Sequence, residues 1–190
     1  MPEGDGQTPL THEEREGLIP SYVTLRDELN EAEQANILEA QNWTFKRTNK
    51  VLSIDFLNDL HKRMFGRVWK WAAKFRHSKK NTGIDAYQIP TALHELIDDT
   101  KCWIEHETYL PDQIAARFHH RLVLIHPYPN GNGRHARLAA DLLLSAMGKP
   151  PFTWGSENLI DPSETRSQYI AALQVADKHG YEKLFRFVRT

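Results

Sequence analysis

Apolar side chains recur every three or four residues along most of the chain, which is the spacing of one face of an α-helix. In one segment Ile114, Phe118, Leu122 and Ile125 form a single stripe. The pattern predicts seven helices, at residues 22–47, 54–65, 90–106, 111–125, 133–147, 162–179 and 181–188. The fifth segment is apolar on most sides after its first turns, so we expect it to be a central, buried helix.

Two segments depart from the helical pattern. Residues 1–20 contain three glycines and three prolines, which predicts an irregular arm. Between residues 74 and 90, two short apolar runs flank the turn residues 81–83, which is typical of a β-hairpin. Before the sixth helix, Asp161 and Pro162 suit the N-cap and the first helical position. The predicted fold class is therefore an all-α bundle with one small hairpin.

The composition indicates a globular domain without a strongly charged surface. The 190 residues are 40% apolar and carry a formal net charge of -1, which gives no basic field for nucleic acid. No apolar run approaches the roughly 20 residues of a membrane span. The single cysteine, Cys102, excludes an intramolecular disulfide and suits a reducing compartment. We expect a cytoplasmic protein that binds neither nucleic acid nor membranes.

The most informative segment is HPYPNGNGRHAR, residues 126–137, which follows the fourth predicted helix and opens the fifth. Gly131 and Gly133 suit backbone with positive φ, where successive N–H groups can converge on an anion. The following helix adds its unpaired N–H groups and the positive end of its dipole. Arg134 and Arg137 lie three residues apart on neighbouring parts of one face. Together these features predict a phosphate cradle that fits a triphosphate better than a single carboxylate.

A candidate base lies directly beside this cradle. His126 ends the fourth predicted helix, because Pro127 follows it. A neutral imidazole can take a proton from a hydroxyl while that oxygen attacks phosphorus. The residues therefore predict phosphoryl or nucleotidyl transfer, driven by positioning and charge stabilisation.

This loop resembles the signature of the Fic/Doc family, H-x-F-x-[DE]-G-N-G-R-x-x-R. Six positions match it: His126, Gly131, Asn132, Gly133, Arg134 and Arg137. Tyr128 replaces the family's Phe, and Asn130 replaces its acidic residue. The resemblance extends from about Leu52 to the C-terminus, through segments at 60–66 and 69–76. It is nearest to the bacterial subgroup called mobile mystery protein B.

The resemblance implies the following roles. Members of the family mostly transfer AMP from ATP to a hydroxyl side chain of a target protein. His126 would be the general base, and the amides of residues 131–133 would hold the β-phosphate region. Arg134 would contact the phosphates and Arg137 the γ-phosphate. Asn130 takes the place of the Mg²⁺ ligand; because it keeps an oxygen but loses a charge, we expect weaker metal binding without loss of nucleotide binding.

Residues 31–40, EAEQANILEA, are similar to the inhibitory helix of Fic proteins, whose pattern is [ST]-x-x-x-E-[GN]. The Glu falls at Glu39, while Ala35 and Ala40 depart from the pattern. In the family this Glu pairs with the second arginine, here Arg137, and blocks the γ-phosphate site. The alternative is a solvated glutamate on an amphipathic helix.

In the family a β-hairpin flap covers the active site and pairs with the backbone of the target. The resemblance makes Lys79, Lys80 and Ile84 candidates for target contact; the alternative is a simple surface hairpin. It also implies two parts of the chain, an N-terminal arm with an inhibitory helix at 1–50 and a Fic domain at 51–190.

We therefore expect an autoinhibited protein adenylyltransferase of the Fic fold, using ATP and Mg²⁺ and a Ser, Thr or Tyr hydroxyl of a target protein. Two alternatives stay open. The first is a transferase with another nucleotide donor. The second is a catalytically weak regulator that binds nucleotide or a partner, which Asn130 would support. An antitoxin-like companion and a homodimer also stay open.

Overall fold

The computed structural model describes residues 10–44, 50–156, 159 and 163–190 of the chain. The helices of these residues are α1 (His12–Arg15), α2 (Arg26–Thr44), α3 (Ile54–Phe65), α4 (Ile89–Glu105), α5 (Pro111–Ile125), α6 (Asn132–Ala146), α7 (Glu164–Ala176) and α8 (Glu182–Phe187), with 3₁₀ turns at Ala86–Gln88 and Trp154–Ser156.

The described residues form a structure that consists of packed helices and the loops that join them. The β-type pairing found in it is one isolated bridge between Leu18 and Trp69. The predicted all-α class is therefore confirmed. In the same residues, no helix combines the length and the apolar character that crossing a bilayer requires.

The seven predicted helices correspond to α2–α8. The bounds of α3 and α5 are as predicted, and those of α4, α6 and α8 differ by one residue at each end. Helix α2 begins at Arg26 rather than at residue 22, and its predicted end at 45–47 lies outside the described residues. The predicted α7 start at Asp161 and Pro162 also lies outside them.

The first described turns of α1 and α7 are fixed by side-chain caps. Ser163 Oγ accepts the N–H of Arg166 at 3.1 Å. Helix α1 was not predicted, although Thr11 and Glu14 form a capping box: Thr11 Oγ1 accepts the Glu14 N–H at 3.2 Å, and the Glu14 carboxylate accepts the Thr11 N–H at 2.8 Å. The T-x-x-E spacing of Thr11 and Glu14 could therefore have predicted the start of this helix.

Helix α6 is the central helix, as its apolar pattern predicts. It packs between α5 and α3, while α4 packs on α5 and α2 on α3. Its side chains at Ala136, Ala139, Ala140 and Leu144 are fully buried. Alanines bring neighbouring helices close together, so the turn joining α5 to α6 is held at the centre of the bundle.

The predicted β-hairpin between residues 74 and 90 does not form. No strand is present there, and an irregular loop runs into the 3₁₀ turn at Ala86–Gln88. The reason is the buried guanidinium of Arg76, which donates to the carbonyls of Ser78 and Ile84. A side chain thus satisfies the carbonyl groups that a strand ladder would pair. We call residues 77–85, which follow Arg76, the flap loop.

Candidate active site

A cleft of about 790 Å³ lies beside the first turn of α6. That volume is typical of small-molecule sites. Its wall includes all the residues predicted for catalysis and nucleotide binding: His126, Asn130, Gly131, Asn132, Gly133, Arg134 and Arg137. Residues 81–83 of the flap loop and side chains of α2 and α7 complete the wall. The fold therefore brings the candidate base, the candidate phosphate cradle and the flap loop to one concave surface.

The turn before α6 is closed by the side chain of Asn132. Its Oδ1 accepts the Tyr128 N–H at 2.9 Å, and its Nδ2 donates to the Tyr128 carbonyl at 2.7 Å. Gly131 has φ 79°, and a Cβ there would lie 2.6 Å from the ring of Phe65. Only glycine fits this position without displacing the ring. The loop is therefore held rigidly against α3.

The first N–H groups of α6 meet the requirements for binding an anion. Gly131 is the N-cap residue and has no side chain that could cap the N–H groups of residues 132–134. The Gly131 N–H itself donates to Oδ1 of Asn130 at 2.6 Å. Of the three amides predicted to hold phosphate, Gly131 is therefore already bonded in this structure.

His61 supports the loop from α3 and was missed as a site residue. The Ala73 N–H donates to its Nδ1 at 3.0 Å, so Nε2 carries the proton and donates to the Asn130 carbonyl at 3.1 Å. Its ring stacks on Tyr128, with ring centres 3.7 Å apart. Burial lowers the pKa of His61 well below its usual value, so it stays neutral and keeps this tautomer.

His126 is held in a conformation that an L residue rarely adopts. Its φ of 54° and ψ of 59° are left-handed, which costs about 1–2 kcal/mol outside glycine. The side chain is 6% exposed. Its Nδ1 lies 3.3 Å from the Val123 carbonyl, which favours the tautomer with the proton on Nδ1 and a lone pair on Nε2. Burial, and then the charge of Arg76, lowers the pKa of His126 to about 4. The imidazole is therefore in the base form at neutral pH.

The two arginines of α6 reach different sides of the cleft. Arg134 donates to the carboxylate of Glu33 on α2, with Nη1 and Oε2 2.7 Å apart. Trp69 Nε1 donates to the other oxygen of Glu33 at 2.6 Å. The Arg137 guanidinium lies over the ring of Tyr169 on α7, 5.6 Å from its centre. A buried carboxylate thus already binds one of the predicted phosphate ligands.

The inhibitory position predicted at Glu39 needs correction. The expected contact with Arg137 is not formed; Glu39 is exposed and pairs with Arg67 at 2.7 Å. Six residues of helix rotate the chain by about 600°, so Glu39 lies on the side of α2 away from Glu33. Glu33 shares the buried face with Ile37 and Ala40. That i, i+4, i+7 spacing was the sequence signal that could have identified it.

The three flap candidates have different environments. Lys79 is exposed. Ile84 is partly buried against the core. The side chain of Lys80 is 1% exposed and pairs with Glu14 at 2.5 Å, so its expected role as an exposed target contact is corrected. Glu14 also accepts from Ser78 Oγ at 2.8 Å. Helix α1 therefore holds one side of the flap loop in place through Glu14.

A protein-built magnesium site does not fit the described residues. They contain no group of three His, Cys, Asp or Glu side chains placed to hold a metal ion. Asn130 offers one amide oxygen, and that oxygen accepts the Gly131 N–H. At this position the described loop therefore offers one weak ligand oxygen, and phosphates would have to supply others.

Comparison with known proteins agrees with this geometry. Residues 51–144 match the model of the Fic/DOC family. Protein adenylyltransferase fic-1 of Caenorhabditis elegans is 33% identical over 141 residues, which are 72% of this chain and 26% of that protein. The chain thus spans about a quarter of the length of this curated relative.

Solved structures show the same fold. Fic-1 (aa134 - 508) from C. elegans has a TM-score of 0.64 and 28% identity, covering 91% of this chain and 50% of that one. The BepC protein of Bartonella tribocorum, crystallised with bound AMPPNP, has a TM-score of 0.69 and 18% identity, covering 94% and 98%. The cleft, the matching loop and these similarities agree, and the chain belongs to the Fic/DOC family.

Proposed function

We propose that this chain is a protein adenylyltransferase that transfers AMP from ATP to a Ser, Thr or Tyr hydroxyl of a target protein. The observation that carries the proposal is the convergence of neutral His126, the α6 N-terminus, Arg134 and Arg137 on one cleft. Curated relatives that share this domain are named protein adenylyltransferases, which supports the same chemistry here.

In the proposed reaction, Nε2 of His126 takes the proton of the acceptor hydroxyl as its oxygen attacks the α-phosphorus of ATP. The bond between that phosphorus and the bridging oxygen of pyrophosphate breaks, and pyrophosphate leaves. The N–H groups of residues 132–134 and the guanidiniums of Arg134 and Arg137 stabilise the charge that develops on the leaving group. The proton on His126 then passes to solvent.

We further propose that Glu33 restrains this reaction within the same chain. Its carboxylate forms an ion pair with the Arg134 guanidinium, and the Trp69 indole N–H donates a hydrogen bond to the same carboxylate. A phosphate that approaches Arg134 must displace this carboxylate and meets its negative charge. Because the restraint lies on α2, the proposal does not require an antitoxin-like companion.

A second candidate is a regulator that binds nucleotide without transferring it. Asn130 favours it, since this residue carries no charge and its Oδ1 is bonded within the loop. Tight ATP binding without covalent label in any variant below would select this candidate. Label from α-labelled CTP, GTP or UTP, but not from ATP, would select a different donor.

Replacing Glu33 with Ala is expected to raise labelling by α-labelled ATP roughly 5- to 150-fold, the range of a coupling of about 1–3 kcal/mol. Glu39→Ala is the matched control on the same helix, because Glu39 pairs with Arg67 outside the cleft, and it should leave labelling unchanged. Adding His126→Ala to Glu33→Ala should lower labelling about 10²- to 10⁴-fold. Activation by Glu39→Ala and not by Glu33→Ala would contradict the assignment.

Replacing Asn130 with Asp is expected to lower the Mg²⁺ concentration needed for half-maximal labelling by roughly several-fold, because a carboxylate adds a full charge to the ligand oxygen. Asn130→Ala removes the oxygen without adding charge and should not lower it. Labelling is measured across a Mg²⁺ titration with excess chelator as the zero point. An identical Mg²⁺ requirement in native protein and Asn130→Asp would reject the hypothesis that Asn130 weakens metal binding.

The pH dependence of transfer follows from the lowered pKa of His126. The neutral ring is the active form, so activity is present above the pKa and lost as the pH falls through it. We expect the acidic limb of kcat/KM to lie near pH 4 instead of near the ordinary value of about 6.5. The profile is measured on Glu33→Ala from about pH 3 to about pH 8, so that both sides of the expected limb are covered, with circular dichroism as a check on folding. A half-point near 6.5 would be inconsistent with the buried base.

A further inference from the structure

Arg76 is a buried cation whose hydrogen bonds go to backbone carbonyls. It is 2% exposed and is the largest of the fully buried side chains. Its Nε donates to the His126 carbonyl at 2.6 Å, its Nη1 to the Ser78 carbonyl at 3.0 Å, and its Nη2 to the Ile84 carbonyl. Burying a guanidinium is costly unless its N–H groups are bonded. Its position is therefore dictated by these carbonyls.

These bonds hold the end of α5 at three successive residues. Besides the His126 carbonyl, Nη2 lies 3.4 Å from the Ile125 carbonyl, and the backbone N–H of Arg76 donates to the Pro127 carbonyl at 2.9 Å. His126 at the middle has the left-handed backbone described above. Such a conformation persists only where the surroundings fix it. Arg76 bonds the carbonyls of the residues on both sides of His126, which are Ile125 and Pro127.

The flap loop contacts the same two residues. Gly83 has φ +112°, and a Cβ built on it would lie 2.7 Å from both Arg76 Nη2 and His126 Cβ. Residues 81–83 and His126 line the cleft together. The base, the turn of the flap loop and the guanidinium therefore form one packed junction.

We propose that Arg76 is a positioning residue that fixes His126 and the flap loop to each other, and so sets the geometry between the base and the acceptor hydroxyl. The proposal deepens, and rests on, the proposed transferase function. The groups assigned to the nucleotide phosphates are the N–H groups of residues 132–134 and the arginines of α6, whereas Arg76 bonds residues 125–127 and the flap loop. A change at Arg76 should therefore act on the transfer rate and leave nucleotide affinity unchanged.

Two variants, each made in the full chain carrying Glu33→Ala, test this junction by changing Arg76 and Gly83 in turn. Arg76→Lys keeps the charge but replaces the planar fork with donors on a single nitrogen, which cannot reach the same set of carbonyls. Gly83→Ala places a methyl group between Arg76 and His126. Gly148→Ala is the matched control, because Gly148 also has a positive φ, +70°, but an added Cβ meets nothing within 4 Å.

Three kinds of measurement are made on each variant. They are kcat and KM for labelling with α-labelled ATP, the affinity for ATP by calorimetry, and the histidine-ring signals by ¹⁵N NMR, with His126 assigned from the His126→Ala spectrum. We expect Arg76→Lys and Gly83→Ala to lower kcat about 10- to 100-fold, as small misplacements of reacting groups do. KM and ATP affinity should change less than about 2-fold, the His126 ring signals should shift, and Gly148→Ala should match the parent.

Equal losses of kcat and ATP affinity, or an unchanged kcat, would overturn the positioning role while leaving the transferase proposal intact. If the parent itself shows no label, the transferase proposal fails, and the NMR spectra decide alone: unchanged His126 signals in both variants overturn the proposal, and shifted signals support the junction. If Arg76→Lys does not fold, the comparison of Gly83→Ala with Gly148→Ala carries the test.

Discussion

The two hydrogen bonds between the Asn132 side chain and the backbone of Tyr128 are the constraint on which the site depends. They close the turn between the two central helices from within, so the first N–H groups of α6 and the side chain at the end of α5 face the same cleft. The ring of His61 and the close approach of Gly131 to Phe65 fix this turn against α3. Buried polar side chains with satisfied hydrogen bonds thus hold in place the backbone N–H groups that would bind an anion.

Residues 10–44 are part of the site rather than an arm beside it. Glu14 of α1 binds Ser78 and Lys80 of the flap loop, and Glu33 of α2 binds Arg134. Both carboxylates are largely buried against cations. Removing one partner of such a pair leaves the other charge uncompensated, so these contacts hold the N-terminal elements in place strongly. The flap loop and the first turn of α6 are thus each linked to an N-terminal helix.

Local pattern was sufficient to predict helices α2–α8 but was not used to predict α1. Helices α3 and α5 have continuous apolar stripes. Of the two glycines expected at positive φ, Gly131 adopts it, whereas Gly133 lies in the first turn of α6 with helical backbone. The error at the predicted hairpin came from contacts that local sequence does not contain. The flap loop is irregular because Arg76 bonds carbonyls on both of its sides and at the end of α5.

The error at Glu39 had a different origin. A family pattern was matched at a position whose helical phase points away from the core, whereas Glu33, Ile37 and Ala40 repeat at the spacing of the buried face. Giving the periodicity precedence over the motif would have selected Glu33, the residue to which we assign the proposed restraint. Its bond to Trp69 could not have been predicted in this way, because the two residues meet only through the packing of the folded chain.

The most direct measurement is a crystal structure of the full chain with a non-hydrolysable ATP analogue. The account predicts phosphate oxygens on the N–H groups of residues 132–134 and on Arg134 and Arg137, the Glu33 carboxylate displaced from Arg134, and Nε2 of His126 facing the α-phosphate. An analogue whose phosphates bind away from the first turn of α6, with the imidazole turned from the cleft, would contradict it.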